Sequence, residues 1–194
     1  MHEQLIKYIT AHSTTPLTAA EVKVIREIFV PKRFRKRAYF LQQNEICKYA
    51  AFIVKGAMRQ YSVDDKGIEH IVYLTLENWW AVDRESFTML TPSNYYIDAW
   101  EQTDALLITK ADSIKYMDTI PALRELTQVL NEKNAFALLN RINSNISLSA
   151  EQRYYRIQKT YPKYLKRFPQ HIIASYLGIT KETLSRIRSQ QAKI

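Results

Sequence analysis

The chain has 194 residues, is 46% hydrophobic, and carries 28 Lys and Arg against 19 Asp and Glu, a formal net charge of +9. That length and apolar content suffice for one sizeable core and a smaller satellite domain. A single cysteine, Cys47, excludes an intramolecular disulfide framework and an iron–sulfur cluster ligated by several cysteines of one chain; with no signal-peptide pattern and no apolar run of transmembrane length, a cytoplasmic protein with no membrane partner is expected.

Residues 3–12 read as a short amphipathic helix, with Leu5, Ile6 and Ile9 on one side. A second helix starts at Thr18, where Thr18-Ala-Ala-Glu21 has capping-box form, and runs to about Phe29. The period then changes. Between Pro31 and Ile108 short β-branched and aromatic segments alternate with turn signals, which predicts strands at 39–41, 50–55, 57–63, 68–75, 95–101 and 105–109. Asp64-Asp65-Lys66-Gly67 is a hairpin turn with Gly67 at its positive-φ position. Regularly spaced short strands predict a sandwich or barrel of jelly-roll type. The basic run from Lys32 to Arg37 reads either as a solvated strand or loop edge or as a second nucleic-acid contact.

After Asp112 the pattern turns helical. A short segment at 112–118 precedes a long helix opened by Pro121, which is favourable in a first turn, and reaching Ile146. Leu123, Leu126, Val129, Leu130, Phe136, Leu139, Ile142 and Ile146 form a broad apolar stripe, interrupted as a heptad by Glu132 and Asn143. The stripe is a candidate dimer seam or a face packed on the chain's own β-domain. Ser149 and Gln152 repeat the capping-box pattern and open a helix to about Thr160; Pro162 breaks it, and Pro169 closes the intervening loop.

Residues 170–189, QHIIASYLGITKETLSRIRS, read as two short helices joined at Leu177-Gly178-Ile179. Gly178 suits a left-handed turn, Thr180 an N-cap, and Ala174 a close crossing; Ile173, Leu177, Ile179, Leu184 and Ile187 fall between the helices. The outer face of the second helix carries Lys181, Glu182, Ser185, Arg186 and Arg188, groups that can address base edges and phosphates in a major groove. The bland alternative is a helical hairpin with a solvated basic face. Charge placement favours DNA: from Ser149 onward there are ten Lys and Arg and two acids, so nearly all of the +9 sits in the last quarter.

A β-domain, a long helix and a helix-turn-helix in this order resemble the Crp/Fnr family of bacterial transcription regulators. The phrase Ile173-Ala-Ser-Tyr-Leu-Gly-Ile-Thr-Lys-Glu-Thr-Leu-Ser-Arg-Ile-Arg188 carries most of the likeness, and Phe52-Ile-Val-Lys-Gly56 followed by Tyr61 looks like the strand–Gly–strand of a cyclic-nucleotide-binding jelly roll. The resemblance implies an α+β chain: a cyclic-nucleotide-binding-like β-roll sensor over 1–118, a dimerisation helix and hinge over 119–147, and a helix-turn-helix domain over 148–194. It implies a homodimer through helix 121–146 on a two-fold symmetric operator in double-stranded DNA, with RNA polymerase a further candidate partner. Glu182 and Arg186, with Ser185 and Lys181 beside them, match the family's base-reading positions, and Thr180 and Thr183 are left for phosphate. Two departures stand out. The region 77–95 lacks the glycine of the family's phosphate-binding segment, so tight cyclic AMP binding is not expected. No strand pair follows the recognition helix, so the C-terminal wing is expected to be absent or very short.

No effector is identified. Trp79, Trp80 and Arg84 are weak candidates, and because neighbouring strand residues face opposite sides, at most one Trp would line a given cavity. No cofactor or metal site is evident, since His2, His12, His70, His171 and Cys47 lack ligand spacing. No enzyme motif stands out. The competing function is an effector-sensing or scaffold module whose helix-turn-helix binds protein.

Overall fold

The computed structural model describes residues 1–191. Helices α1 (His2–His12) and α2 (Ala19–Ile28) lead into strands β1 (Val30–Phe34), β2 (Tyr39–Leu41), β3 (Tyr49–Lys55), β4 (Met58–Val63), β5 (Glu69–Thr75) and β6 (Trp80–Ala81). Helix α3 (Arg84–Met89) precedes β7 (Tyr96–Ala99) and β8 (Thr103–Thr109). Helices α4 (Lys110–Thr119), α5 (Pro121–Ser147), α6 (Ala150–Thr160), α7 (Pro162–Arg167), α8 (Gln170–Leu177) and α9 (Lys181–Gln191) follow. Two four-stranded sheets, ordered β1-β8-β3-β6 and β2-β7-β4-β5, make the expected α+β jelly roll. The chain divides into two compact units, one of Met1–Gln60 with Leu74–Lys133, the other of Tyr61–Tyr73 with the chain from Asn134 onward.

In the first unit, β3 and β8 are buried on both faces and therefore read as unbroken apolar runs. Ala51, Ile53, Ala105 and Leu107 point between the sheets, where they meet Leu41, Met58, Ile97 and Ala99. Ala50, Phe52, Leu106 and Ile108 point the other way, onto Leu5 and Ile9 of α1, Ile25 and Ile28 of α2, and Leu123 and Leu126 of α5. Glu125 ties α5 to the α1–α2 loop by accepting from the Thr14 amide (2.6 Å), the Thr14 hydroxyl (2.9 Å) and the amide and hydroxyl of Thr15.

Both capping boxes form. Thr18 Oγ1 accepts from Glu21 N–H at 3.3 Å while Thr18 N–H donates to the Glu21 carboxylate at 2.7 Å. Ser149 and Gln152 do the same at 3.2 and 2.9 Å. The basic run takes its solvated-strand reading, and two further elements, α3 and α7, are helices that the sequence periodicity does not predict. The basic run opens as an edge strand, β1, paired antiparallel with β8, with Arg33 on Asp104 at 2.5 Å; its solvated Pro-Lys-Arg residues hide the period of two. A short helix, α3, lies within the 77–95 region, capped by Asp83. Pro162 ends α6 but also serves as the first residue of α7, a position where its missing N–H costs nothing, so the stretch before Pro169 is a helix and not a loop.

The second unit holds the β4–β5 turn, the C-terminal half of α5 and α6 to α9. Asp64 organises the turn: its Oδ1 accepts from the amides of Lys66 (2.9 Å) and Ile68 (3.0 Å), with Gly67 at φ 77°. The aromatic core is built on Tyr164, stacked on Tyr161 at 5.0 Å and edge-on to Tyr176 and Phe168 at 5.8 and 5.9 Å. Burial pushes the Tyr164 phenol well above its ordinary value and the Tyr176 phenol up to about 12.

Candidate nucleic-acid interface

Helix α8 ends at Gly178, at φ 66° and ψ 37°. The amides of Gly178 and Ile179 each donate at 3.0 Å, to the carbonyls of Ser175 and Ala174, which closes the helix in a Schellman motif and turns the chain sharply into α9. Thr180 Oγ1 then accepts from Thr183 N–H at 3.2 Å and caps α9. Ile172, Ile173, Ala174 and Leu177 of α8 and Leu184 and Ile187 of α9 are all buried, together with Tyr154 and Ile157 of α6.

With Leu184 and Ile187 turned inward, Lys181, Glu182, Ser185, Arg186 and Arg188 are exposed, and Thr183 is half-buried beside its capping partner. Glu182, Ser185, Arg186 and Ser189 are spaced to share one face, and Lys181, Ser185 and Arg188 the adjoining one. Its own backbone amide, and then the Thr180 hydroxyl, hold the Glu182 carboxyl below the usual carboxylate range. Arg156, Lys159, Lys163 and Lys166 of α6 and α7 add four exposed cations to the same unit. The charge asymmetry of the last quarter already includes these four; that Lys163 and Lys166 stand on a helix is not legible locally, because prolines bound α7.

The weak effector candidates do not converge. Trp80 packs into the core against Phe52 at 5.4 Å and Phe29 at 6.1 Å. Trp79 lies in the turn before β6, its carbonyl accepting from Ile53 N–H at 2.9 Å. Arg84, at the start of α3, donates to Asn131 of α5. Asp83 is buried, accepting from Ser93 Oγ at 2.6 Å and from Ser86 N–H, so the segment in question presents an acidic side chain. A cleft of about 400 Å³ opens elsewhere, lined by Phe40, Leu41 and Glu45 to Tyr49. Cys47 is buried on its wall; its thiol donates to Tyr49 O at 3.3 Å, and burial pushes its pKa up to about 11, which leaves little thiolate. Among the described residues no group of His, Cys, Asp and Glu could hold a metal ion, and no helix is long and apolar enough to cross a membrane. The expected lack of a C-terminal wing concerns residues 192–194, which lie outside the described residues, as does Lys193.

Helix α5 is used differently along its length. Ala122, Leu123 and Leu126 are buried in the first unit, whereas Phe136, Leu138, Leu139, Ile142 and Ile146 are 47–80% exposed. Ala135, Leu139, Ile142 and Ile146 fall at alternating spacings of four and three, the spacing of a coiled-coil seam. The reading of the stripe as a face packed on the chain's own β-domain holds for its N-terminal end.

No protein-family model matches the chain, and no curated protein sequence does. Solved structures do. FixK2 from Bradyrhizobium japonicum is similar with a TM-score of 0.72 at 19% identity, over 86% of this chain and 85% of that one. The c-di-GMP-responsive global regulator CLP of Xanthomonas campestris is similar with a TM-score of 0.71 at 12% identity, over 91% and 93%. A protein of Eubacterium rectale assigned to the Crp/Fnr transcriptional regulators has a TM-score of 0.65 at 19% identity, over 91% and 85%. The chain has the fold of the Crp/Fnr regulators, a cyclic-nucleotide-binding-like jelly roll with a helix-turn-helix.

Proposed function

We propose that the chain is a sequence-specific DNA-binding transcription regulator of the Crp/Fnr type and not an enzyme. The observation that carries this is the exposed face of α9: two rows of hydrogen-bonding side chains, one with Glu182 and Arg186 and one with Lys181 and Arg188, stand on a helix whose opposite side is locked into a core. In this reading α9 enters the major groove, Arg186 and Glu182 read base edges, Ser185 and Lys181 assist, and Thr180, Thr183 and Arg188 contact phosphate. The exposed cations of α6 and α7 neutralise backbone charge and make affinity steeply salt-dependent.

A homodimer through the exposed stripe of α5 would set two recognition helices roughly 34 Å apart, one turn of duplex. It does not bind cyclic AMP tightly: the 77–95 segment carries the buried Asp83 carboxyl and no glycine for close backbone approach to a phosphate, which supports this reading. RNA polymerase and a cytoplasmic setting follow from the regulator class alone.

The test is selection of sites from random duplex DNA by the purified, ligand-free protein at about physiological salt. The expected outcome is an enriched inverted repeat. Salt-insensitive capture of a protein with no DNA enrichment would move the helix-turn-helix to a protein-binding role.

A further inference from the structure

Arg141 of α5 is the residue next to Ile142 of the exposed stripe, and its guanidinium joins three elements of the second unit. It donates to Val72 O, to Ile71 O at 3.2 Å and to Tyr176 O at 3.3 Å, and it lies 4.5 Å from the centre of the Tyr176 ring. The bond to Tyr176 has a specific cause. A helix leaves its last four carbonyls without intrahelical partners; the Gly178 motif takes up those of Ala174 and Ser175, and Arg141 takes the next, with its charge at the negative end of the helix dipole. Beside it, Ser175 Oγ donates to Glu69 O at 3.0 Å and accepts from Ile71 N–H at 2.9 Å. Strand β5 ends its sheet, and an edge strand leaves backbone groups open to a partner. Here two side chains bind them.

We infer that Arg141 is a positioning residue: it fixes the start of the recognition helix relative to the stripe of α5, with β5 as the third point of the clamp. The chain between Tyr176 and α9 is only the Gly178 turn and Thr180, so where α8 ends decides where α9 begins. The planar fork serves two elements and stacks on a ring, which a lysine, a point charge on a flexible stem, cannot reproduce. The DNA-binding reading proposed above is assumed here. If it holds, loosening Arg141 loosens the spacing of two recognition helices without touching any base-reading side chain.

The test uses the full chain with Cys47→Ala, nitroxides at Asn140→Cys and Gln190→Cys, and an excess of unlabelled protein so that only distances within one chain are read. One narrow distance is expected for the wild-type residue, a broad or split distribution for Arg141→Gln, and an intermediate one for Arg141→Lys. Ser175→Ala, which removes both bonds to β5, should broaden it in the same direction and serves if Arg141→Gln does not fold. The second readout is affinity for the selected operator with its spacer intact or changed by one base pair. Wild type should lose on the order of tenfold or more on the wrong spacer; Arg141→Lys should lose much less, with affinity for a single half-site unchanged. A purely structural role would lower half-site and full-site affinity together and leave the spacer ratio alone. An unchanged distance distribution overturns the inference, and so does a broadened one with the wild-type spacer ratio. If the wild-type protein selects no sequence, the DNA reading falls, and the distances alone decide whether Arg141 positions α9.

Discussion

Arg59 of β4 and Asp98 of β7 face each other as a bidentate pair, with Nε–Oδ1 and Nη2–Oδ2 both at 2.9 Å. Their side chains are only 11% and 6% exposed, and the guanidinium also lies 5.4 Å from the Trp100 ring. Such a pair is costly to break from one side, because a buried group then loses its counter-charge. Asp98→Ala should destabilise the jelly roll by about 3–5 kcal/mol. Asp98→Leu combined with Arg59→Met should lose much less. Urea unfolding of the three proteins checks both statements; equal losses for single and double variants would remove the pair from the account.

Two glycines at positive φ should respond differently to the same methyl group. A Cβ on Gly178 meets nothing within 4 Å, so Gly178→Ala suffers only the left-handed backbone, about 1–2 kcal/mol. A Cβ on Gly56, at φ 108°, would sit 2.5 Å from Thr103 Oγ1 and 2.7 Å from Gln102 O. Thr103 cannot easily give way, since its hydroxyl donates to Ala57 O at 3.1 Å or Glu101 O at 2.9 Å and accepts from Ala57 N–H at 3.2 Å. Gly56→Ala should therefore cost about 3 kcal/mol or more. Melting temperatures in the order wild type, Gly178→Ala, Gly56→Ala are expected.

Glu125 supplies an acid-sensitive tie. Four donors from Thr14 and Thr15, led by the Thr15 hydroxyl, bring its carboxyl down from 4.5 to about 2. A carboxyl lowered in the folded state stabilises fully above its unfolded value and loses that contribution as the pH falls through the folded one. The contribution should thus be present at neutral pH and fade between about pH 4.5 and 2. Glu125→Gln should be less stable at pH 7 and converge on the wild type at the acid end. A stability difference that stays constant across that range would show that the tie acts by shape and not by charge.

How far these features can be read from sequence depends on whether their cause is local. Capping boxes, the Gly178 turn and the inward residues of α9 are written within a few positions of one another, and they fold as read. Strand β1 is not, because its period is masked by solvated charge and its place is fixed by β8, some seventy residues away: Arg33 pairs with Asp104. Helix α7 is obscured because proline ends one helix and starts the next with the same chemistry. The assignment of Arg141 is the least local of all. Nothing around it distinguishes it from the other arginines; its meaning comes from carbonyls at positions 71, 72 and 176 that only the fold assembles.

The exposed half of α5 makes a prediction about assembly. Leu139 and Ile142 are 63% and 47% exposed and lie at the middle of the stripe. Charges there would be buried without partners in a paired seam but solvated in a lone helix. Leu139→Glu with Ile142→Glu should give a monomer of unchanged helix content by sedimentation and circular dichroism. A dimer that persists would place the seam elsewhere.

The division of labour on the basic unit gives the last expectation. Arg186 stands on the face shared with Glu182 and Ser185, whereas Lys163 and Lys166 are exposed on α7. A side chain bonded to a base edge discriminates between sequences, and one bonded to phosphate does not. Arg186→Ala should cost about 1–3 kcal/mol on the selected operator and relax preference at one base pair in each half-site. Lys163→Gln and Lys166→Gln should weaken binding to all duplexes alike and each reduce the slope of log affinity against log salt by about 1. Both sets are read in one experiment, titrating matched and mismatched duplexes over a range of salt. If Arg186→Ala changes the salt slope but not the sequence preference, Arg186 is a phosphate contact, and base reading passes to Glu182, Ser185 and Lys181.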